Sequence, residues 1–186
     1  TVNFTYGIPH ACVSIALQRR LAKQNKYGEI YETIIGVVYD PFVEELWTAI
    51  RGQAAKLNGK PIHVNDGPLK EAMLSIGFAK DKKTMDYMIP YFNKLALKIR
   101  KPRMMGSATL ALTYVASGRF HGYIESKVNL WDIAAGGLIL ECAGGEFWRM
   151  PRRKGEHSYV VVATNGRIRK QIERVCGPLD PDGVLN

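Results

Sequence analysis

A layered α/β protein with a mixed sheet is the fold class this sequence predicts. Strand-like segments cluster in the first part of the 186 residues, and later ones alternate with helical segments. No repeat, low-complexity stretch or second-domain linker interrupts the pattern, so residues 1–186 read as a single domain long enough to bury a core.

From Cys12 to Leu21, the residues Val13, Ile15 and Leu17 fall on one side at the period-two spacing of a strand. A polar turn around Gln24 to Gly28 leads to a second strand, Ile30 to Tyr39, rich in β-branched side chains. Asp40-Pro41 turns the chain into a third strand over Glu45 to Ile50. Asn58-Gly59 then favours a tight hairpin turn, because both residues tolerate positive φ. Met73 to Phe78 reads as another strand.

Met85 to Ile99 has helical spacing, with Pro90 taken as a first-turn residue. Gly106-Ser107 introduces a helix that Ser107 caps and that runs through Val115 to end at Gly118. Tyr123 to Glu125 is a short strand, and Asp132 opens a helix to about Cys142, closed by Gly144-Gly145. Tyr159 to Ala163 is a strand, Gly166 to Val175 a closing helix, and Gly177 to Asn186 a loose tail.

Composition narrows the possible functions. At 46% hydrophobic and 23% charged residues the chain resembles an average soluble protein. No apolar run approaches the roughly 20 residues of a membrane helix, and residues 1–8 carry no signal-peptide pattern. Cys12, Cys142 and Cys176 are widely spaced and odd in number, which suits reduced thiols in a cytoplasmic protein rather than a disulfide framework or zinc site. The net charge of +9 favours anionic partners in general. Its densest cluster, Arg149 with Arg152, Arg153 and Lys154, reads as a solvated loop, without the aromatic interleaving of specific nucleic-acid recognition.

The segment from Trp131 to Gly137, continuing to Gly145, carries the most chemical information. Asp132 stands where a loop becomes a helix, where its carboxylate can accept backbone N–H bonds and hold a hard cation such as magnesium. Local sequence alone favours an ordinary N-cap aspartate over a metal ligand. Ala134 to Gly137 are small and permit close backbone packing. Competing chemistries find less support. His10, His63, His121 and His157 lack ligand spacing. Ser14 and Ser107 lie in no nucleophile elbow, and Gly52 to Gly59 lacks the ending of a P-loop.

Trp131-Asp132-x-Ala134-Ala135-Gly136, followed by Ala143-Gly144-Gly145, resembles the C-terminal motif of the inositol monophosphatase family. Thr1-x-Asn3-Phe4, Pro9 and Val13-Ser14-Ile15 look like the segment immediately C-terminal to that family's Asp-Pro-x-Asp-Gly metal motif. Tyr39-Asp40-Pro41, Glu45-Leu46, Thr48-Ala49 and Leu57-Asn58-Gly59-Lys60-Pro61 resemble its central strands and hairpin. The similarity is collinear from Thr1 to about Val175.

That resemblance implies the α-β-α-β sandwich of the sugar-phosphatase superfamily, with mixed sheets, and a magnesium-dependent phosphomonoesterase that uses metal-activated water. Inositol monophosphate or a related sugar phosphate is the implied substrate. Fructose 1,6-bisphosphate and 3′-phosphoadenosine-type nucleotides are the alternatives. Thr1 and Asp132 would be catalytic and would hold Mg2+, with Asp132 also close to the substrate hydroxyls. Gly106, Ser107, Ala108 and Glu125 would contact substrate. A homodimer is also implied.

Departures from the family pattern matter. The Asp-Pro-x-Asp-Gly segment and an upstream glutamate are absent from the 186 residues, and no initiator methionine precedes Thr1, so upstream residues are expected. Cys142 stands where the family usually has glutamate, a position that does not ligate metal. Val2 and Tyr6 replace a common threonine and histidine near the mouth of the site. Taken alone, the chain has too few site carboxylates for two magnesium ions. A non-catalytic interaction module or inactive fragment is therefore the reading of another class.

Overall fold

The computed structural model describes residues 2–24, 30–152 and 157–180. A four-residue helix, α1 (Val2–Thr5), precedes an antiparallel sheet made by β1 (Val13–Arg20), β2 (Tyr31–Asp40), β3 (Glu45–Ile50), β4 (Lys56–Leu57) and β5 (Lys60–Pro61). Asn58 and Gly59 both have positive φ in the β4–β5 turn, as their residue types require. Asn58 also accepts from Leu46 N at 2.8 Å, so the turn is tied to β3.

The second sheet runs in the order β7 (Lys101–Arg103), β6 (Met73–Gly77), β8 (Gly122–Asn129), β10 (Ser158–Thr164) and β9 (Glu146–Pro151). Its β7–β6–β8 pairings are parallel and its β8–β10–β9 pairings antiparallel, which makes it mixed. Helices α3 (Ala108–Ala116) and α4 (Leu130–Cys142) pack between the two sheets. On the far side of the mixed sheet lie α2 (Lys82–Ala96) and α5 (Arg169–Cys176). The resulting β-α-β-α layering is the expected sandwich.

Two cores arise from these layers. Trp47, Leu110, Leu112, Ile133, Leu138 and Ile139 fill the space between the sheets. Leu74, Ile76, Met88, Leu95, Ile124 and Ile172 seal α2 and α5 onto the mixed sheet. The outer face of the first sheet is different: Val13, Ile15, Leu17, Ile35, Tyr39, Leu46 and Ile50 alternate outward along β1 to β3 and are exposed.

Several expectations need correction. Helix α2 begins at Lys82, capped by Asp81, which accepts from Thr84 N at 2.9 Å. Pro90 therefore lies well inside the helix, not in its first turn. It occupies the exposed face, where the carbonyl its ring deprives of a donor can meet water. The cap of α4 is Asn129, and Asp132 is the third helical residue rather than the opening one. Arg149 belongs to β9 and lies over the Phe147 ring at 5.0 Å, so the basic cluster is not wholly a solvated loop. Arg153 and Lys154 fall outside the described residues, as does most of the turn from Gln24 to Gly28. Gly177 to Asp180, expected as part of a loose tail, lies against α2: Leu179 is buried and Asp180 N donates to the Tyr87 hydroxyl at 2.9 Å. Residues 181–186 are outside the described set.

Candidate active site

One cavity of about 560 Å³ opens where the ends of β1, β6 and β8 meet the N-termini of α3 and α4. Gly106, Ser107, Ala108, Glu125 and Asp132, the described residues singled out by sequence, all line it. Thr1 lies outside the described residues. Val2 and Tyr6, expected near the mouth, are exposed on and just after α1 and do not line the cavity. Cys142 is also elsewhere, with its Sγ 3.6 Å from Ile50 O, while Glu141 pairs with Arg51 at 3.0 Å.

Local chemistry fixes each element. Ser107 caps α3 by accepting from Leu110 N at 3.3 Å, and Ala108 and Thr109, whose N–H groups at the helix start have no intrahelical partner, line the cavity. Gly106 has φ of +74°, and a Cβ there would stand 3.0 Å from Asn3 Nδ2. Asn3 needs that space because its amide donates to Met105 O at 2.9 Å and to His10 O at 3.2 Å, fastening the start of the chain to the loop before α3. Thr109 Oγ1 donates to Asp132 O at 2.7 Å and locks the first turns of α3 and α4 together.

The two acidic side chains have unusual electrostatics. Burial pushes the Glu125 carboxyl up to about 7; a bond from the Tyr123 hydroxyl opposes this, and the Asp132 charge adds to it. Gly77 makes room for this carboxyl, since a Cβ there would overlap it. Burial also raises Asp132, while bonds from the Asn129 backbone and side chain pull it back. A third-position side chain reaching back to the cap residue is half of a capping box. Asp132 thus serves the helix locally while its carboxylate borders the cavity.

Oxygen donors of this kind suit a hard cation, and magnesium in particular is held by one or two carboxylates with water and substrate phosphate completing its shell. Asp132 alone meets that minimum of one carboxylate. Among the described residues no group of three or more His, Cys, Asp or Glu side chains could hold a metal by itself.

Sequence reasoning passes over several lining residues. His10, which lacks ligand spacing in the sequence, borders the cavity with its Nε2 buried and without a hydrogen-bond partner among the described residues. Burial lowers its pKa, so the ring is neutral at physiological pH. The Cys12 thiol, raised by burial, interacts with Ser107 and Thr109. Trp131, which opens the sequence motif, stands 63% exposed at the rim, and Lys127, which the sequence does not single out, is the sole Lys or Arg among the described lining residues. Only the pairing of strands and helices distant in sequence brings these together. Among the described residues no helix is long and apolar enough to cross a membrane, and all three cysteines are free.

Known proteins share this arrangement of sheets and helices. An inositol monophosphatase from Anabaena superposes with a TM-score of 0.80 at 32% identity, covering 98% of this chain and 69% of its own. Among curated relatives, Nus factor SuhB of Pasteurella multocida is 41% identical over 178 residues, covering 92% of this chain and 62% of that protein. Inositol monophosphatase 1 of Solanum lycopersicum is 40% identical over 175 residues, covering 91% of this chain and 60% of that protein. The chain thus spans about 60% of the length of these two relatives. The family model for the inositol monophosphatase family matches residues 1–176, nearly the whole chain and every element around the cavity, and the chain belongs to that family.

Proposed function

We propose that the protein is a magnesium-dependent phosphomonoesterase acting on inositol monophosphate or a related sugar phosphate. One observation carries this reading: Asp132, Glu125 and the free N–H groups at the start of α3 border a single cavity. When bound, a divalent cation supplies charge neutralisation and water activation for phosphate-ester hydrolysis. Asp132 is the residue that holds it. Glu125, poised near neutrality, accepts bonds from substrate hydroxyls, and Tyr123 fixes its orientation. The Ala108 and Thr109 amides meet anionic substrate oxygens, as helix N-termini do. Thr1 completes the reading as a partner of metal and water. A cytoplasmic setting, supported by the free thiols, and a homodimer belong to the same proposal.

The test is hydrolysis of inositol 1-phosphate by the intact gene product with and without magnesium, beside Asp132→Asn. Activity that needs magnesium and falls at least a hundredfold in the variant is expected, since one first-rank site group is worth about that much. Equal rates with and without metal, or no hydrolysis of any sugar phosphate, would end the proposal. The absence of a three-residue acidic cluster among the described residues favours a second reading, a non-catalytic interaction module. Calorimetry distinguishes the two: magnesium heats that vanish in Asp132→Asn support the enzyme, and no heat in either protein supports the module.

A further inference from the structure

We infer that Thr109 is, through its side chain, a positioning residue for Asp132: its hydroxyl fixes the backbone from which that carboxylate reaches the cavity. This rests on the phosphatase reading above and adds to it a side chain that acts only through Asp132. The Thr109 hydroxyl donates to Asp132 O at 2.7 Å, from a residue only 5% exposed. The bond joins two helices at positions 23 residues apart.

A hydroxyl on a helix commonly bonds back to a carbonyl one turn behind it. The later hydroxyls of α3 and its C-cap do so: Thr113 donates to Leu110 O at 2.9 Å, and Ser117 to Thr113 O at 2.7 Å. Thr109 does not. It is the second residue of α3, and the carbonyl four residues behind it, Met105 O, lies before the helix and already accepts from the Asn3 amide at 2.9 Å. A hydroxyl has one proton to give, and here it crosses to α4.

What it reaches there is the residue with the chemistry. Of the two acidic residues in α4, Asp132 lines the cavity, whereas Glu141 pairs with Arg51 away from it. Close packing makes the reach possible: a Cβ on Gly136, one turn after Asp132, would stand 3.3 Å from Thr109 O. The other end of Asp132 is held separately, its carboxylate accepting from the backbone and side chain of Asn129. Thr109 at the carbonyl and Asn129 at the carboxylate therefore pin one residue at both ends. A carboxylate fixed in this way meets a cation already in place, and loss of such an outer bond typically weakens metal affinity by about ten- to a hundredfold.

The experiment is calorimetric titration of the intact gene product with magnesium, in the wild type, Thr109→Val, Thr109→Ala and Thr109→Ser, with Thr113→Val as control. Valine keeps the shape and removes the hydroxyl. Alanine removes it without branched bulk beside Asp132 O, should valine prevent folding, and serine retains it. Magnesium should bind about tenfold more weakly to the valine and alanine variants, while serine stays within about threefold of wild type. Thr113→Val loses a buried hydroxyl bond in the same helix, so its urea midpoint should fall while its magnesium affinity stays at the wild-type value. Wild-type affinity in folded Thr109→Val or Thr109→Ala overturns the inference and leaves the phosphatase reading standing. Equal weakening in Thr113→Val also overturns it, because loosening α3 anywhere would then suffice. No magnesium heat in the wild type ends the phosphatase reading itself, and this inference with it.

Discussion

Replacing Glu125 by glutamine removes the carboxyl group whose ionisation is most opposed by its surroundings, yet keeps an oxygen for the Tyr123 hydroxyl. In the folded protein this group titrates at about 7 rather than at its ordinary 4.5, with burial as the main cause. A folded-state value above the unfolded one means that folding takes up a proton. The associated stability is fully present below the unfolded value and is lost as pH rises through the folded one. Integrating between about pH 5 and about pH 8, Glu125 alone lowers the free energy of unfolding by about 2 to 3 kcal/mol. The assay is urea denaturation of both proteins at the two pH values without divalent cation, read from midpoints and slopes. Glu125→Gln should match the wild type near the acidic end and exceed it by that margin near the basic end. Parallel pH profiles, or a wild type that gains on the variant as pH rises, would refute the assignment of a buried, proton-binding Glu125.

Other substitutions probe the packing around the same cavity. Gly77→Ala places a Cβ against the Glu125 carboxyl, and the pH-linked instability should largely vanish as that side chain is pushed out of its buried position; a profile identical to wild type would show that the contact is slack. Gly36→Ala sets a Cβ 2.8 Å from Ala135 O, backbone that cannot swing aside. A loss of about 1 to 3 kcal/mol is expected in urea melts. Ser107→Ala removes the acceptor for Leu110 N and should cost about 1 kcal/mol by the same measurement, with Ser107→Gly less damaging.

Sequence periodicity is a good guide wherever one face of an element is buried. The strands β1, β2, β3, β6 and β10 and the helix α3 lie within a few residues of where alternation, β-branching and capping place them. It misleads where charge interrupts the pattern. Glu146–Pro151 forms a strand although Arg149 sits in its middle, because the guanidinium lies over Phe147 instead of solvent. The first residues of α2, Lys82 to Thr84, carry little apolar signal and are defined by the Asp81 cap. Strand β8 reads as short because Glu125, Ser126 and Lys127 are three polar residues in a row, so the burial of Ser126 between the less buried Glu125 and Lys127 leaves no apolar signal in the sequence.

Asp132 and Glu125 are legible only through their likeness to a family, since each alone reads as a helix-start or strand-end carboxylate. Their neighbours have no local signal at all: Asn3 bridges to Met105 across 102 residues, and His10 and Cys12 arrive from the approach to β1.

The small residues after Trp131 explain why such distant groups converge. Gly136 lets α4 approach α3 so closely that a Cβ would stand 2.9 Å from Leu112 Cβ and 3.3 Å from Thr109 O. At that separation the starts of both helices reach the same end of the layer, where Thr109 ties them at Asp132 O. Two partly positive helix ends then face one cavity whose walls carry two carboxylates. The helix ends ease the mutual repulsion of the acids and favour anions in general, so an acidic site can still admit phosphate. On the proposed phosphatase reading, the carboxylates would narrow that attraction to anions accompanied by a cation. Glycine packing, two helix starts and two acids are thus one arrangement, in which displacing any member changes what the others attract.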